Sequence, residues 1–339
     1  MKIAIHHREN SFSNRWIAYC EKEAIPYQLV DCYASDIMEQ MQACDVLMWH
    51  WHHADPKAVL FARQLTYSLE AAGKKVFPDS NTAWHFDDKV GQKYLLESIG
   101  APMVPSYVFY DKAEALAWTE KTQFPKMFKL RGGAGASNVQ LAKTKQEAQK
   151  LIAQAFGRGF SQFNRWGYFK ESCRKFLSRQ EGFIVLVKGL VRLVVPTKHS
   201  KVVPPERGYI YFQRFIPNNK SDIRVVVVGC KAFAIKRFCR EGDFRASGSG
   251  EMSFDPDDID ERCVQISFDI SKKMGAQSIA YDYVFDESGD PLIVEISYGF
   301  AMKAYDECRG WWSYDMQWHE GVFLPQDWMV ENCLEESSS

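Results

Sequence analysis

Lys129-Leu130-Arg131-Gly132-Gly133-Ala134-Gly135-Ala136-Ser137-Asn138-Val139 sets three glycines and a serine between two strand-like runs. With no Cβ in the way, backbone N–H groups at such glycines can turn toward a phosphate. Lys129, at the end of the preceding strand, would bring positive charge to the same anion. A tight turn produces the same glycine pattern, so the stretch alone leaves both readings open. It is not a Walker loop, because no Gly-Lys-Ser/Thr ends it, and it is not a dinucleotide fingerprint, because no helix opens at it.

Two more groups lie downstream. Asp282 and Glu295 emerge from apolar, strand-like runs that close pairing would bring to one sheet edge. Carboxylates so placed must be paired or must coordinate a cation, and hard Mg²⁺ takes such oxygens together with phosphate oxygens. A structural salt bridge is the equal alternative. The third group is Asp222-Ile223-Arg224, followed by Lys236, Arg237 and Arg240-Glu241-Gly242-Asp243-Phe244-Arg245-Ala246-Ser247-Gly248-Ser249-Gly250. On a strand Asp222 and Arg224 point the same way and read as a surface pair. The cations and glycines of 240–250 suit a loop that closes on phosphate. Earlier in the chain, His50-Trp51-His52-His53 ends a predicted strand. It reads as a metal site, as a substrate contact at the carboxyl end of a parallel strand, or as plain polar termination.

The elements that must carry these residues follow from periodicity. Residues 2–6, 27–31 and 45–50 read as strands and 13–24 and 56–72 as helices, an alternation that predicts a small parallel α/β domain ending near Pro78-Asp79-Ser80. An amphipathic helix is predicted over 87–99, stopping at Gly100 before Pro102 and Pro105. From 106 to 152 the order is strand, helix, strand, glycine loop, strand, helix. Residues 184–195 alternate like a strand. The apolar runs 209–216, 223–235, 279–285 and 292–297 read as one large antiparallel sheet, with the helix 257–274 packed on it. The predicted division is 1–84, 85–208 and 209–335.

Composition narrows the function classes. Lys and Arg total 42 against 43 Asp and Glu, so the molecule as a whole has no electrostatic reason to coat nucleic acid or an acidic membrane. Residues 157–207 are the exception, with eleven basic residues facing Glu171, Glu181 and Glu206 and a local charge of +8. Aromatic residues interleave with this charge, so the segment reads as a polyanion surface or as a solvated insertion. No run approaches the ~18 apolar residues of a membrane span, and the first strand is too brief for a signal-peptide core. Nine scattered cysteines, odd in number and without a Cys-x-x-Cys pair, fit free thiols in a reducing cytoplasm. Trp311, Trp312, Tyr314, Trp318, His319 and Trp328 read as packing for a C-terminal segment or as a sugar-stacking surface.

Taken in order, Asp88-Lys89, Lys129 with its glycine loop, Asp222-Ile223-Arg224, Glu241 to Arg245, and Asp282 with Glu295 resemble the ATP-grasp superfamily. The likeness covers roughly 85–300 and is strongest to ribosomal-protein glutamate ligases and related carboxylate-amine ligases. It implies an α+β ATP-grasp fold, in which a small parallel α/β domain is followed by two subdomains that grip ATP. It also implies that Lys89 and Lys129 contact the nucleotide phosphates while Gly132, Gly133, Gly135, Ser137 and Val139 fold over them. Gln213, Arg214, Phe215 and Ile216 would line the adenine pocket, and Asp222 would take the ribose hydroxyls. Lys236 or Arg237 would reach the transferring phosphate, and Arg237 or Arg245 would stabilise an oxyanion. Asp282, Glu295 and Ser297 would hold Mg²⁺ or Mn²⁺.

Two positions depart from the family pattern. Arg214 stands where these ligases often carry an acid, and Ser297 stands where a Glu-x-Asn metal pair has its amide. The implied reaction is amide formation through an acylphosphate, with release of ADP and phosphate. Residues 243–250 and 295–300 further resemble a subgroup associated with surface-polysaccharide biosynthesis. That implies a small-molecule or glycan carboxylate joined to an amine, such as an amino acid attached to an acidic sugar. Peptide modification and nucleotide binding without turnover are the alternatives, and relatives with this fold commonly form homodimers.

Overall fold

The computed structural model describes residues 1–53, 55–132, 139–161, 169, 172–173, 176, 182, 184–194, 204–240 and 251–335. The alternating pattern of the first 80 residues becomes β1 (Ile3–His6), α1 (Phe12–Lys22), β2 (Tyr27–Val30), α2 (Ile37–Gln40), β3 (Val46–Met48), α3 (Pro56–Ala71), β4 (Lys75–Phe77) and α4 (Ser80–Ala83). The four strands form a parallel sheet in the order β2-β1-β3-β4; the sequence predicts the parallel α/β arrangement and the first three strands, and β4 is added by the structure. Helix α3 starts where the chain signals it: Asp55 accepts from the Lys57 N–H, and Pro56 occupies the first turn, where no N–H is needed.

Helix α5 (Lys89–Ser98) is capped in the same way by Asp88, whose carboxylate accepts from the Gly91 N–H at 2.9 Å. It is followed by β5 (Ser106–Phe109), α6 (Lys112–Thr119), β6 (Lys126–Lys129), β7 (Val139–Ala142) and α7 (Lys145–Ala155), in the predicted order. Next come α8 (Ile184–Val194) and β8 (Ile210–Arg214). Strands β5-β8-β6-β7 make an antiparallel sheet. The final part contains β9 (Ser221–Val228), β10 (Lys231–Phe238), β11 (Met252–Ser253), α9 (Glu261–Met274), β12 (Ser278–Phe285), β13 (Pro291–Ser297), β14 (Gly310–Ser313), β15 (Trp318–Glu320) and α10 (Pro325–Leu334). Its sheet runs β13-β12-β9-β10-β14-β15, with β11 on β10.

Three readings of the sequence are corrected. Residues 184–194 form a helix, because an eleven-residue apolar run with Val185 buried and Ile184, Val187 and Val191 exposed carries helical spacing as well as alternation. The run 223–235 is two strands, since the chain reverses at Gly229, whose φ of +58° a side chain would strain. Strand 210–214 pairs with β5 and β6 and not in the large sheet, so the seam between the two antiparallel sheets falls after Arg214.

Packing joins the ends of the chain. One core combines Leu47, Trp49 and Trp51 of the first sheet with Val225, Tyr281 and Tyr298 of the last. A second joins Ile5, Phe12 and Trp16 to Val226, Phe233 and Trp328. The four-stranded antiparallel sheet has its own core around Phe128, Ile152 and Phe212. Of the C-terminal aromatic residues Trp312 and Trp328 are buried, with Phe323 stacked on Trp328 at 4.7 Å, whereas Tyr314 and His319 are exposed. All nine cysteines are free. Among the described residues no helix is long and apolar enough to cross a membrane. Because the first and last sheets share buried surface, Trp16→Ala should cost about 3–5 kcal/mol. Denaturant unfolding followed by circular dichroism should remain a single transition, with no earlier melting of residues 1–53.

Candidate active site

Between the two antiparallel sheets, and roofed at one end by the N-terminal domain, lies a cleft of about 560 Å³. Strand register builds its floor. On β9 and β10 Asp222 is the cross-strand partner of Arg237, on β9 and β12 Arg224 is the partner of Asp282, and on β12 and β13 Asp282 is the partner of Glu295. All five side chains line the cleft, so one row of charge crosses four strands.

The contacts are tight. Arg237 donates from Nε and Nη2 to the two oxygens of Asp222, both at 2.6 Å, and its Nη2 lies 3.1 Å from Asp282 Oδ1. Arg224 forks onto Asp282 at 2.6 and 2.7 Å. Burial opposes ionisation of Asp282, but the Arg224 and Arg237 guanidinium groups outweigh it and hold its carboxyl well below the usual range. The sequence reading of an Asp222–Arg224 pair is therefore corrected. Residues two apart share a face, but the partner of each lies straight across the sheet and closes a shorter, bidentate contact.

Two lysines complete the charge. Lys89 Nζ lies 3.0 Å from Glu295 Oε1. Burial lowers the Lys89 pKa, and Glu295 with Asp87 more than reverses this, leaving it raised. Lys129 is equally buried, yet its Nζ donates to a neutral acceptor, Gln213 Oε1, at 2.7 Å. Burial brings its pKa down to about 8, with Glu295 opposing and Lys89 assisting. Four cations thus face three carboxylates, which leaves the cleft short of negative charge.

The other predicted residues divide clearly. Val139, Gln213, Arg214, Phe215 and Ile216 line the cleft beside Lys129. The Gln213 amide also donates to Val294 O at 3.3 Å, which ties the two sheets together at the seam, and the Arg214 N–H donates to Pro105 O at 2.8 Å, which extends the pairing of β8 with β5. Gly132 donates its N–H to Glu206 Oε1 at 3.3 Å, and the Arg131 N–H donates to Tyr209 Oη and Glu206. The entrance of the glycine loop is therefore anchored on a carboxylate. Gly133, Gly135, Ser137 and Arg245 lie outside the described residues, as does most of the basic segment 157–207. Lys236 does not join the cleft: adjacent to Arg237 on β10, it takes the opposite face, where its Nζ is 3.4 Å from Asp258 Oδ1.

Asp282 and Glu295 are both in ion pairs, the salt-bridge alternative of the sequence reading; with Ser297 two residues further on the same strand face they also put oxygens on one edge that a hard divalent cation could share. Ser297 Oγ donates its proton to Gly299 O at 2.8 Å, which leaves its lone pairs for another partner. Among the described residues no cluster of three or more His, Cys, Asp and Glu is placed for a metal, at the 50–53 histidines or elsewhere. His50, His52 and His53 instead line the cleft together with Arg8 and Asn10. Arg8 and Arg224 were the residues sequence reasoning left out of the site. The position of Arg8 just past the end of β1, where parallel sheets place ligands, was the available signal.

Asp282→Asn would leave the buried Arg224 guanidinium without its carboxylate, while Arg237 keeps Asp222, and should cost about 3–5 kcal/mol. Because the folded carboxyl is held well below its unfolded value, Asp282 contributes its full stability above about pH 5, and that contribution is lost progressively as pH falls toward the low folded pKa. The gap between the urea midpoints of wild type and variant should therefore be constant from pH 7 to about pH 5 and narrow, without closing, by pH 3.

Comparison with known proteins agrees with this architecture. A RimK-like ATP-grasp domain is matched over residues 196–309. No curated protein sequence matches the chain. The structure is similar to a RimK domain ATP-grasp protein from Sphaerobacter thermophilus, with 13% identity, a TM-score of 0.57, and coverage of 98% of this chain and 99% of that one. It is similar to the D-alanine–D-alanine ligase of Bacillus anthracis at 13% identity and a TM-score of 0.56, covering 98% and 97%. It also resembles the Campylobacter jejuni biotin carboxylase, at 11% identity and a TM-score of 0.61, covering 100% and 72%. These likenesses, together with a parallel N-terminal sheet and two antiparallel sheets enclosing a charged cleft, show that the chain has the ATP-grasp fold.

Proposed function

We propose that the protein is an ATP-dependent carboxylate-amine ligase. The observation that carries this reading is the row of two arginines and three carboxylates, with Lys89 and Lys129 added to it, between the two antiparallel sheets. An excess of buried positive charge suits a polyphosphate, and paired carboxylates at one edge suit the cation that accompanies it. Structures described as complexes with MgADP or ATP occur among proteins of this fold and support the choice of nucleotide.

In this reading the γ-phosphorus of ATP forms a bond to a substrate carboxylate oxygen as its bond to the β,γ-bridging oxygen breaks, and ADP leaves. An amine nitrogen then attacks the acyl carbon, phosphate departs, and the nitrogen gives up a proton to form the amide. Lys89 and Lys129 hold the phosphates in register for transfer. Arg237, fixed by Asp222 and Asp282, donates to the oxyanion of the tetrahedral species. Asp282, Glu295 and Ser297 would hold Mg²⁺ or Mn²⁺, which when bound offsets charge on the phosphoryl oxygens. The closed side of the cleft, formed by the N-terminal domain, shields the acylphosphate from water. The acid is an acidic sugar or glycan precursor, a choice supported by the resemblance of 243–250 and 295–300 to polysaccharide-associated proteins of this fold.

Incubation with Mg-ATP, hydroxylamine and a panel of uronic acids, amino acids and short peptides should yield a hydroxamate and an equal amount of ADP. Absence of both across the panel would replace the ligase with a nucleotide-binding module, and a hydroxamate on peptides alone would move the substrate to that class. Lys129→Ala and Glu295→Ala should each abolish ADP release while circular dichroism stays native. A pH effect should be separable as well. Lys129 is charged below about pH 8 and neutral above it, whereas Lys89 stays charged, so nucleotide affinity should fall as pH rises through that value. Calorimetric titration between pH 7 and pH 9.5 should show a loss approaching about tenfold per unit at the alkaline end, and Lys129→Arg should flatten it.

A further inference from the structure

Beyond Ser297 the cleft continues to the carboxyl ends of β1 and β3, where His50 has an arrangement the phosphate chemistry does not use. Its side chain is 8% exposed and stacks on Phe12 with centroids 3.8 Å apart and planes 6° from parallel. The Phe12 N–H, the first of helix α1, donates to His50 Nδ1 at 3.3 Å, and Ser11 Oγ lies 3.0 Å from the same nitrogen. A backbone amide can only donate, so Nδ1 must present its lone pair, and a neutral ring then carries its proton on Nε2. Burial keeps the ring neutral, and Arg8 and His52 reinforce this, so its pKa lies well below the ordinary histidine value. The helix N-terminus, positive at that same amide, works in the same direction.

The remaining N–H has no acceptor among the described residues. It borders the cleft next to Gly299, where a Cβ would stand 3.7 Å from Nε2. The Arg8 backbone is clamped to Ser13 Oγ, which accepts from the Arg8 N–H and donates to its carbonyl, both at 3.1 Å. The Arg8 side chain lines the same end of the cleft, with no ion-pair partner among the described residues. Asp87, the carboxylate on this wall, acts on Lys89. A buried donor of fixed tautomer beside a guanidinium reads a group that only accepts hydrogen bonds.

We propose that His50 Nε2–H and the Arg8 guanidinium form a subsite for a carboxylate of the acid substrate, with His50 as a positioning residue. This rests on the ligase reading only in naming the ligand a substrate. A carboxylate accepts from both donors at once, whereas an amide or alcohol offers a weaker acceptor and no charge to Arg8. The histidine cannot turn away, because rotation would break the Phe12 cap and the ring stack together.

The test uses the full chain with Mg²⁺ and a non-hydrolysable ATP analogue. D-galacturonate, L-glutamate and succinate are titrated beside galactose, glutamine and succinamide, and binding is followed by thermal shift and by the His50 ¹⁵N imidazole spectrum. At least one carboxylate should bind more tightly than its neutral counterpart, with the ring observed as the Nε2–H tautomer and that nitrogen shifting on addition. Arg8→Gln and His50→Phe should each weaken the carboxylate about tenfold or more while nucleotide affinity stays within twofold. Gly299→Ala, which lays a methyl against Nε2 without displacing a neighbour, should do the same if His50→Phe fails to fold. The subsite is overturned if no carboxylate outperforms its neutral counterpart, if the Nδ1–H tautomer is found, or if Arg8→Gln and Gly299→Ala leave carboxylate affinity within twofold. Carboxylate binding without any nucleotide binding would keep the subsite and sink the ligase reading instead.

Discussion

The cleft depends on one constraint, the strand register that sets Arg237 opposite Asp222, Arg224 opposite Asp282 and Asp282 opposite Glu295. Ionised groups removed from water are costly, and the attraction between them repays that cost only when geometry is close and bidentate. Both guanidinium groups meet this condition by forking onto a carboxylate on the neighbouring strand. A slip of one residue in β9 would turn Asp222 and Arg224 to the opposite face and bury Ile223 in the cleft. The apolar residues that alternate with the charged ones, Ile223 and Val225 of β9 and Tyr281 and Tyr283 of β12, are fixed in the core on the other side. Hydrophobic burial on one face therefore enforces the electrostatic row on the other.

That row also explains why the two lysines differ. Lys89 lies against the Glu295 carboxylate and keeps its proton, whereas Lys129 faces the neutral amide of Gln213 and holds its proton less firmly. An incoming phosphate would relieve the second lysine more than the first, since it supplies the anion that Lys129 lacks. The Gln213 side chain that positions Lys129 also reaches Val294 on the other antiparallel sheet. The lysine and the seam between the sheets are thus held by one amide.

The N-terminal domain is part of the site and not an appendage. Its strands share two cores with the last sheet, and Phe86, Trp51 and Tyr298 interlock with centroids 4.4 to 5.7 Å apart at the junction. Packing of this kind fixes the ends of β1 and β3 relative to Glu295 and Ser297. His50 and the cations of the cleft floor line one cleft as a result.

Much of this was legible in the residues. The alternating pattern of the first 80 positions and the two carboxylates of β12 and β13 are local signals, and local signals survive folding because backbone geometry and burial period set them. The order of those signals was enough to suggest the fold. What only the tertiary structure decided was pairing. The sequence places Asp222 beside Arg224 and Lys236 beside Arg237, and nothing along the chain says which cation meets which carboxylate. The strand 210–214, the reversal at Gly229 and the helix at 184–194 were ambiguous for the same reason, since an apolar run does not state its partner. The His50 tautomer is the extreme case: its proton is placed by a helix amide 38 residues away in sequence, through a contact that exists only once β1, α1 and β3 have packed.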